Sequence, residues 1–108
     1  MTDPAKALLA TLRSRCRPHA RLRAMRSDTT PWRSLLFDGE RHILDIVLEG
    51  PDVEGALRDL RHASIETDLS LPGHLLVELS VDGSEAQEAG KMVRLRALTL
   101  ESGGALSA

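Results

Sequence analysis

The chain has 108 residues, 42% of them apolar and 28% charged, with a net charge of −2, a balance that suits one globular domain and excludes a disordered or fibrous chain. Aromatic residues are nearly absent, one Trp and one Phe, so the core must be aliphatic and stacking platforms for bases or sugars are scarce. Cys16 is the lone cysteine and no apolar run reaches membrane-spanning length, which excludes an intramolecular disulfide and a membrane helix; a soluble, cytoplasmic protein is expected.

The small net charge hides an asymmetry. Met1 to Arg33 holds eight basic and two acidic residues, whereas Ser34 to Ala108 holds six basic and fourteen acidic. Such a division points to an anionic partner for the basic segment, or to that segment lying on its own acidic body.

Asp3-Pro4 predicts a helix start, because Asp caps free amides and Pro at the first helical position sacrifices no hydrogen bond. Ala5, Leu8, Leu9, Leu12 and Cys16 form one apolar stripe at helical spacing. Pro18 ends the helix near Arg17, since the residue before a proline is pushed out of the α region. From His19 to Met25 the period becomes two and predicts a strand, with outward Arg side chains that would guard a sheet edge. Ser27 to Pro31 reads as a polar loop.

Phe37 to Asp52 is the most informative stretch. Asp38-Gly39 is a tight-turn signal, since both types tolerate positive φ, and it predicts that Trp32–Phe37 pairs with Arg41–Glu49. His42, Leu44, Ile46 and Leu48 share one strand face, which reads as core. Ile43, Asp45, Val47 and Glu49 share the other, a mixed face that suits partial cover by a partner. Gly50-Pro51-Asp52 opens a second helix with the stripe Val53, Ala56, Leu57 and Leu60, which repeats that of the first at an offset of 48.

Ile65 to Leu71 alternates and predicts a strand, Pro72-Gly73 a reversal, and His74 to Asp82 a further strand with Leu75, Val77, Leu79 and Val81 inward and Leu76 and Glu78 outward. Asp82-Gly83 reads as a turn and Ser84–Gly90 as a loop or single helical turn. Met92 to Glu101 is the last strand, with a bulge expected between Arg96 and Leu98. The expected fold is α+β: two helices on one face of an antiparallel sheet, with a duplicated α-β-β-β unit as its plan, in a single domain over 1–101 and a flexible tail over 102–108.

No metal-binding, phosphate-cradling or nucleophile-elbow spacing occurs, and no cofactor is implied. His42 in aliphatic company reads as a core or boundary residue. His74 and Glu78 would lie two pleats apart, about 7 Å along a strand, so a polar, metal or hydrolase site of His42, His74 and Glu78 requires the three to converge. Cys16 on a helix stripe reads as a buried thiol.

The leading expectation is a small non-enzymatic protein that works through protein contacts, as a homodimer or accessory subunit. Its binding surface would be the sheet face carrying Ile43, Asp45, Val47, Leu76 and Glu78. The alternative is nucleic-acid binding through Arg13, Arg15, Arg17, Arg21, Arg23, Arg26 and Arg33.

Overall fold

Asp3 starts helix α1 (Pro4–Cys16) by accepting a hydrogen bond from the Ala5 amide at 3.0 Å, with Pro4 behind it. A computed structural model describes residues 3–66 and 70–101. Helix α1 leads into strand β1 (Arg21–Arg33), which is followed by β2 (Asp38–Glu49), helix α2 (Val53–Glu66), the two-residue β3 (Ser70–Leu71), β4 (His74–Gln87) and β5 (Gly90–Glu101). All pairings are antiparallel and the sheet order is β1-β2-β5-β4-β3.

This is an α+β fold. The helix stripes land as expected: Leu8, Leu9, Leu12 and Cys16 from α1 and Ala56, Leu57, Leu60 and Ala63 from α2 enter one buried cluster with Leu22, Leu44, Ile46, Leu48, Leu76, Leu79, Val93 and Leu95 from the sheet. Each buried Leu, Ile or Val side chain there contributes about 1.5–3 kcal/mol relative to exposure. Both helices lie on the same sheet face. Helix α2 begins at Asp52, whose Oδ1 accepts from the Gly55 amide at 2.9 Å, the N-cap arrangement. His19 ties the two helical segments together, its Nδ1 3.0 Å from Asp52 and its Nε2 3.4 Å from Asp59. Among the described residues no helix is long and apolar enough to cross a membrane.

Several local expectations are corrected. The hairpin reverses at Ser34–Phe37, where the Ser34 amide donates to the Phe37 carbonyl at 2.9 Å and the Phe37 amide donates to Ser34 Oγ at 3.1 Å. Asp38 and Gly39 are therefore not a turn; they pair with Arg33 and Trp32 inside the ladder. Gly39 is there for close approach, because a Cβ would overlap the Thr99 carbonyl and lie 2.7 Å from Leu100 Cδ2. Ser27 to Pro31 is not a loop but part of β1, held by pairing with Leu44 through Glu40. Cross-strand partners supply what its own residues do not signal.

The second half departs similarly. Ile65 belongs to α2, and the strand shrinks to Ser70–Leu71; Thr67 and Leu69 of the expected strand lie outside the described residues, as does the 102–108 tail. Asp82-Gly83 is no turn, since β4 runs on to Gln87 and the chain reverses at Glu88-Ala89. The expected bulge in β5 sits in β4 instead, where register shifts occur between Leu76 and Glu78 and between Val81 and Gly83. The helix-and-three-strand repeat is not observed, because α1 is followed by only two strands.

Strand length decides what remains uncovered. Helix α1, at 13 residues, spans about 20 Å, whereas the molecule is 50 Å long. The hairpin ends therefore project beyond the helical layer.

Gly39→Ala is expected to lower stability by about 1–3 kcal/mol, the usual cost of overpacking. Gly83→Ala, where a Cβ meets nothing within 4 Å, should be neutral or stabilising by up to about 1 kcal/mol. Chemical denaturation of the two variants beside wild type measures both.

Candidate functional site

The sheet face opposite the helices is assembled from residues that the register brings into rows. From one end to the other, Trp32, Gly39, Leu100 and Leu75 stand side by side across β1, β2, β5 and β4; then Thr30, Arg41, Leu98 and Glu78; then Asp28, Ile43, Arg96 and Ser80; then Arg26, Asp45, Arg94 and Gly83; then Arg23, Val47, Met92 and Glu85. No described element lies over this outer face. The first row is apolar and continues past the hairpin into Leu35 and Leu36, which are 103% and 78% exposed, and Phe37. Both aromatic residues of the chain are at this end.

The middle rows are charged and largely self-paired. Arg94 clasps Asp45 with two hydrogen bonds of 2.8 and 3.1 Å, which hold the Asp45 carboxyl below its ordinary range and raise Arg94. Arg96 pairs with Asp82, Arg23 with Glu49 at 3.2 Å, and Arg26 with Asp28 at 2.9 Å. Among the described residues Arg21, Arg41, Glu78 and Glu85 make no ion pair on this face. Two apolar side chains lie flush between the charges: Val47 (4% exposed), flanked in register by Arg23 and Met92, and Leu98 (8%), flanked by Arg41 and Glu78. The aliphatic stems of long charged side chains cover apolar surface of this kind. Over the second and third rows lies a groove of about 390 Å³ lined by Thr30, Arg41, Ile43, Glu78, Asp82 and Arg96, among others.

Four of the five residues expected on a partner face, Ile43, Asp45, Val47 and Glu78, are on it. Leu76 is not. The bulge at Val77 lets Leu76 pair with Thr99 and enter the core while Glu78 pairs with Leu98 on the outer face. The same bulge leaves Leu75 and Val77 exposed, at 57% and 41%, where inward positions were expected.

It also separates the histidine cluster. His42 is 1% exposed on the helix face, with Nδ1 2.9 Å from Thr29 Oγ1 and Nε2 2.9 Å from Thr99 Oγ1, so both ring nitrogens are engaged by hydroxyls that accept or donate as needed. Glu78 is on the opposite face, and His74 is held to the Pro72 carbonyl at 3.2 Å. His42 and Glu78 both border the groove, but the register turns their side chains to opposite sheet faces, and among the described residues no group of three His, Cys, Asp or Glu side chains is placed to hold a metal ion. Burial pushes the His42 imidazole below its ordinary value of 6.5. Cys16 is fully buried, its Sγ 3.8 Å from the Ala56 carbonyl, and burial pushes its thiol up to about 11, the setting of an inert thiol.

The arginines of the basic segment do not form a free arm. Arg13 Nε donates to the Leu22 carbonyl at 3.1 Å, Arg33 pairs with Asp38 at 3.6 Å, and Arg23 and Arg26 are paired as above. Arg15 also makes an interaction. Arg17 ends α1, and Arg21 lies at the rim of the outer face beside Glu49.

Trp32, Leu35, Leu36, Leu75, Leu98 and Leu100 are the functional candidates that the sequence did not single out. The concentration of both aromatics within six residues was the available signal; the β5 contribution becomes visible only with the register. No protein-family model matches the chain, and no curated protein or solved structure matches it at a significant level.

Two outcomes are expected. Cys16 should resist a thiol reagent at mildly alkaline pH in the native state and react fully in denaturant. For His42, the lowered folded value means that its contribution to stability is complete above 6.5 and declines as pH falls below that, because the unfolded chain takes up the proton first. Replacing His42 by Asn should flatten the stability slope below 6.5, by up to about 1.4 kcal/mol per pH unit, in denaturation curves of both proteins across that range.

Proposed function

We propose that this chain is a small non-enzymatic interaction module, an adaptor or accessory subunit that engages a protein partner through the outer sheet face and its hairpin end. The observation that carries this reading is the gathering of Trp32 and Phe37 with the exposed Leu35, Leu36, Leu75 and Val77 beside an uncovered face. Surfaces of this composition, an apolar centre with aromatics bordered by arginine and carboxylate, are characteristic of protein contacts. A scattered exposed leucine would carry no such meaning. The lone, buried, unreactive thiol fits a reducing compartment, and we place the protein in the cytoplasm.

The nucleic-acid reading has less support. Phosphate binding draws on unpaired cations, and Arg13, Arg23, Arg26 and Arg33 each already direct one nitrogen to a carbonyl or carboxylate of the protein itself. The near absence of aromatics removes the stacking that single-strand binding uses.

With the immobilised chain as bait, one partner should be retained in stoichiometric amount by wild type and by Lys6→Glu on the exposed surface of α1. It should be lost with Trp32→Ala or Leu75→Glu, at a cost of about 1–3 kcal/mol in binding for the aromatic residue. Capture that is the same for all four proteins would sink the reading. Salt-dependent binding of a labelled oligonucleotide, abolished by Arg21→Glu with Arg23→Glu, would replace it by the nucleic-acid one.

A further inference from the structure

The charges left over on the outer face are sorted by sign and by position. Arg21 and Arg41 stand on β1 and β2, and Glu78 and Glu85 on β4, none of them in an ion pair among the described residues. The rim strands follow the same division, with Arg21, Arg23 and Arg26 along β1 and Glu78, Asp82 and Glu85 along β4. One lateral half of the face is short of anions and the other of cations. Along the strands the face is graded as well, from the apolar row at Trp32, Leu100 and Leu75 to the charged row at Arg23 and Glu85.

We propose that the partner of this face is a second copy of the chain, stacked outer face to outer face about a two-fold axis that runs parallel to the strands. This rests on the reading of the face as a protein-binding surface and names its occupant. Rotation about that axis exchanges left and right without exchanging the two ends. Strand β1 of one protomer then lies over β4 of its partner, and β2 over β5. Arg41 comes opposite the row that holds the partner's Leu98 and Glu78, and Arg21 and Arg23 come opposite the end that holds the partner's Glu85. Arg23 lies directly opposite the partner's Glu85, and Arg41 lies one strand from the partner's Glu78 in the same row, each contact repeated by symmetry. The apolar ends meet each other, covering Trp32, Leu75 and the hairpin leucines.

The alternative two-fold, perpendicular to the strands, fails on both counts. It sets β1 against β1 and β4 against β4 with their ends exchanged, which brings Glu78 opposite the partner's Glu85 and lays the apolar end on Arg21 and Glu49. Like charges brought together in an interface cost several kcal/mol, so the strand-parallel axis is selected. It also brings the two sheets near the aligned orientation, within about 30° of each other, in which twisted sheets pack face to face.

The size is adequate. Four strands and five rows at ordinary sheet spacings give a footprint of roughly 600 Å² per copy, whose corrugated accessible surface is larger, against roughly 800 Å² per partner in a standard stable interface. Edge-to-edge pairing is the less suitable route, because β1 carries Pro31 and a bulge at Met25 and β4 carries two bulges, devices that blunt an edge.

The test is light scattering coupled to size-exclusion chromatography across a dilution series, with circular dichroism confirming that each variant is folded. Wild type is expected at twice the 11.8 kDa chain mass, dissociating as salt is raised. Arg41→Glu alone and Glu78→Arg alone should each weaken association by about tenfold or more, the effect of opposing like charges in an interface. An equimolar mixture of the two variants should recover the dimer, because each reversed charge then faces the reversed charge on the other chain. A monomer at every concentration overturns the proposal, and so does a dimer indifferent to both substitutions or one that the mixture does not restore. The wider reading of the face fails separately: a monomeric wild type that still loses its captured partner on Leu75→Glu keeps the interaction role and discards only the second copy as occupant.

Discussion

Strands β2 and β5 pair without interruption from Gly39 with Leu100 to Leu48 with Lys91, and because side chains alternate strictly along such a ladder, this pairing assigns every central residue to a face. Leu44, Ile46, Leu48, Val93 and Leu95 are committed to the helices. Ile43, Asp45, Val47, Arg94 and Arg96 are committed to the open side. A slip of one residue would send the charges under α1 and α2, where their desolvation would cost far more than any pairing returns. The hydrophobic core and the outer surface are thus two consequences of one register.

The flanking strands are joined to this ladder less regularly, and the irregularities are where the two faces acquire their contents. The bulge at Met25 keeps Arg26 on the side of Arg23, and the bulge at Val77 turns Leu76 inward and Glu78 outward. The bulge at Asp82 is followed by the return of β4 to the ladder at Gly83, beside Arg94. Without these insertions β4 would present leucines and valines where it now presents Glu78. Bulges of this sort re-aim side chains and also discourage edge pairing.

The ion pairs on that face are exposed for the most part, and pairs of that kind add little to stability. Arg94 on Asp45 and Arg96 on Asp82 neutralise the centre, so that the remaining imbalance is confined to the two lateral margins and to Arg41 and Glu78 around the nearly covered Leu98. Under the proposed reading, a surface with this distribution would discriminate between orientations of an incoming molecule, as charge complementarity does more readily than it adds affinity.

What the sequence by itself determined is what depends on neighbours within a few residues. The Asp3-Pro4 helix start, the stripes of α1 and α2, the two-faced alternation of Ile43 to Glu49, and the Pro72-Gly73 reversal all follow from capping geometry, helical spacing and φ preference. Cys16 as a buried thiol and His42 as a core residue follow in the same way. Tertiary structure decided whatever depends on a partner strand far along the chain. Gly39 has the signature of a turn and serves a close crossing with Thr99 and Leu100. Ser27 to Pro31 has the composition of a loop and is strand because β2 is beside it. Ile65 to Leu71 alternates like a strand, yet α2 takes its beginning. The outer face joins Trp32, Leu98 and Leu75 from three strands, and no window of sequence contains all three: hydrogen-bond register across a sheet is set by long-range packing, to which local propensity is a weak guide.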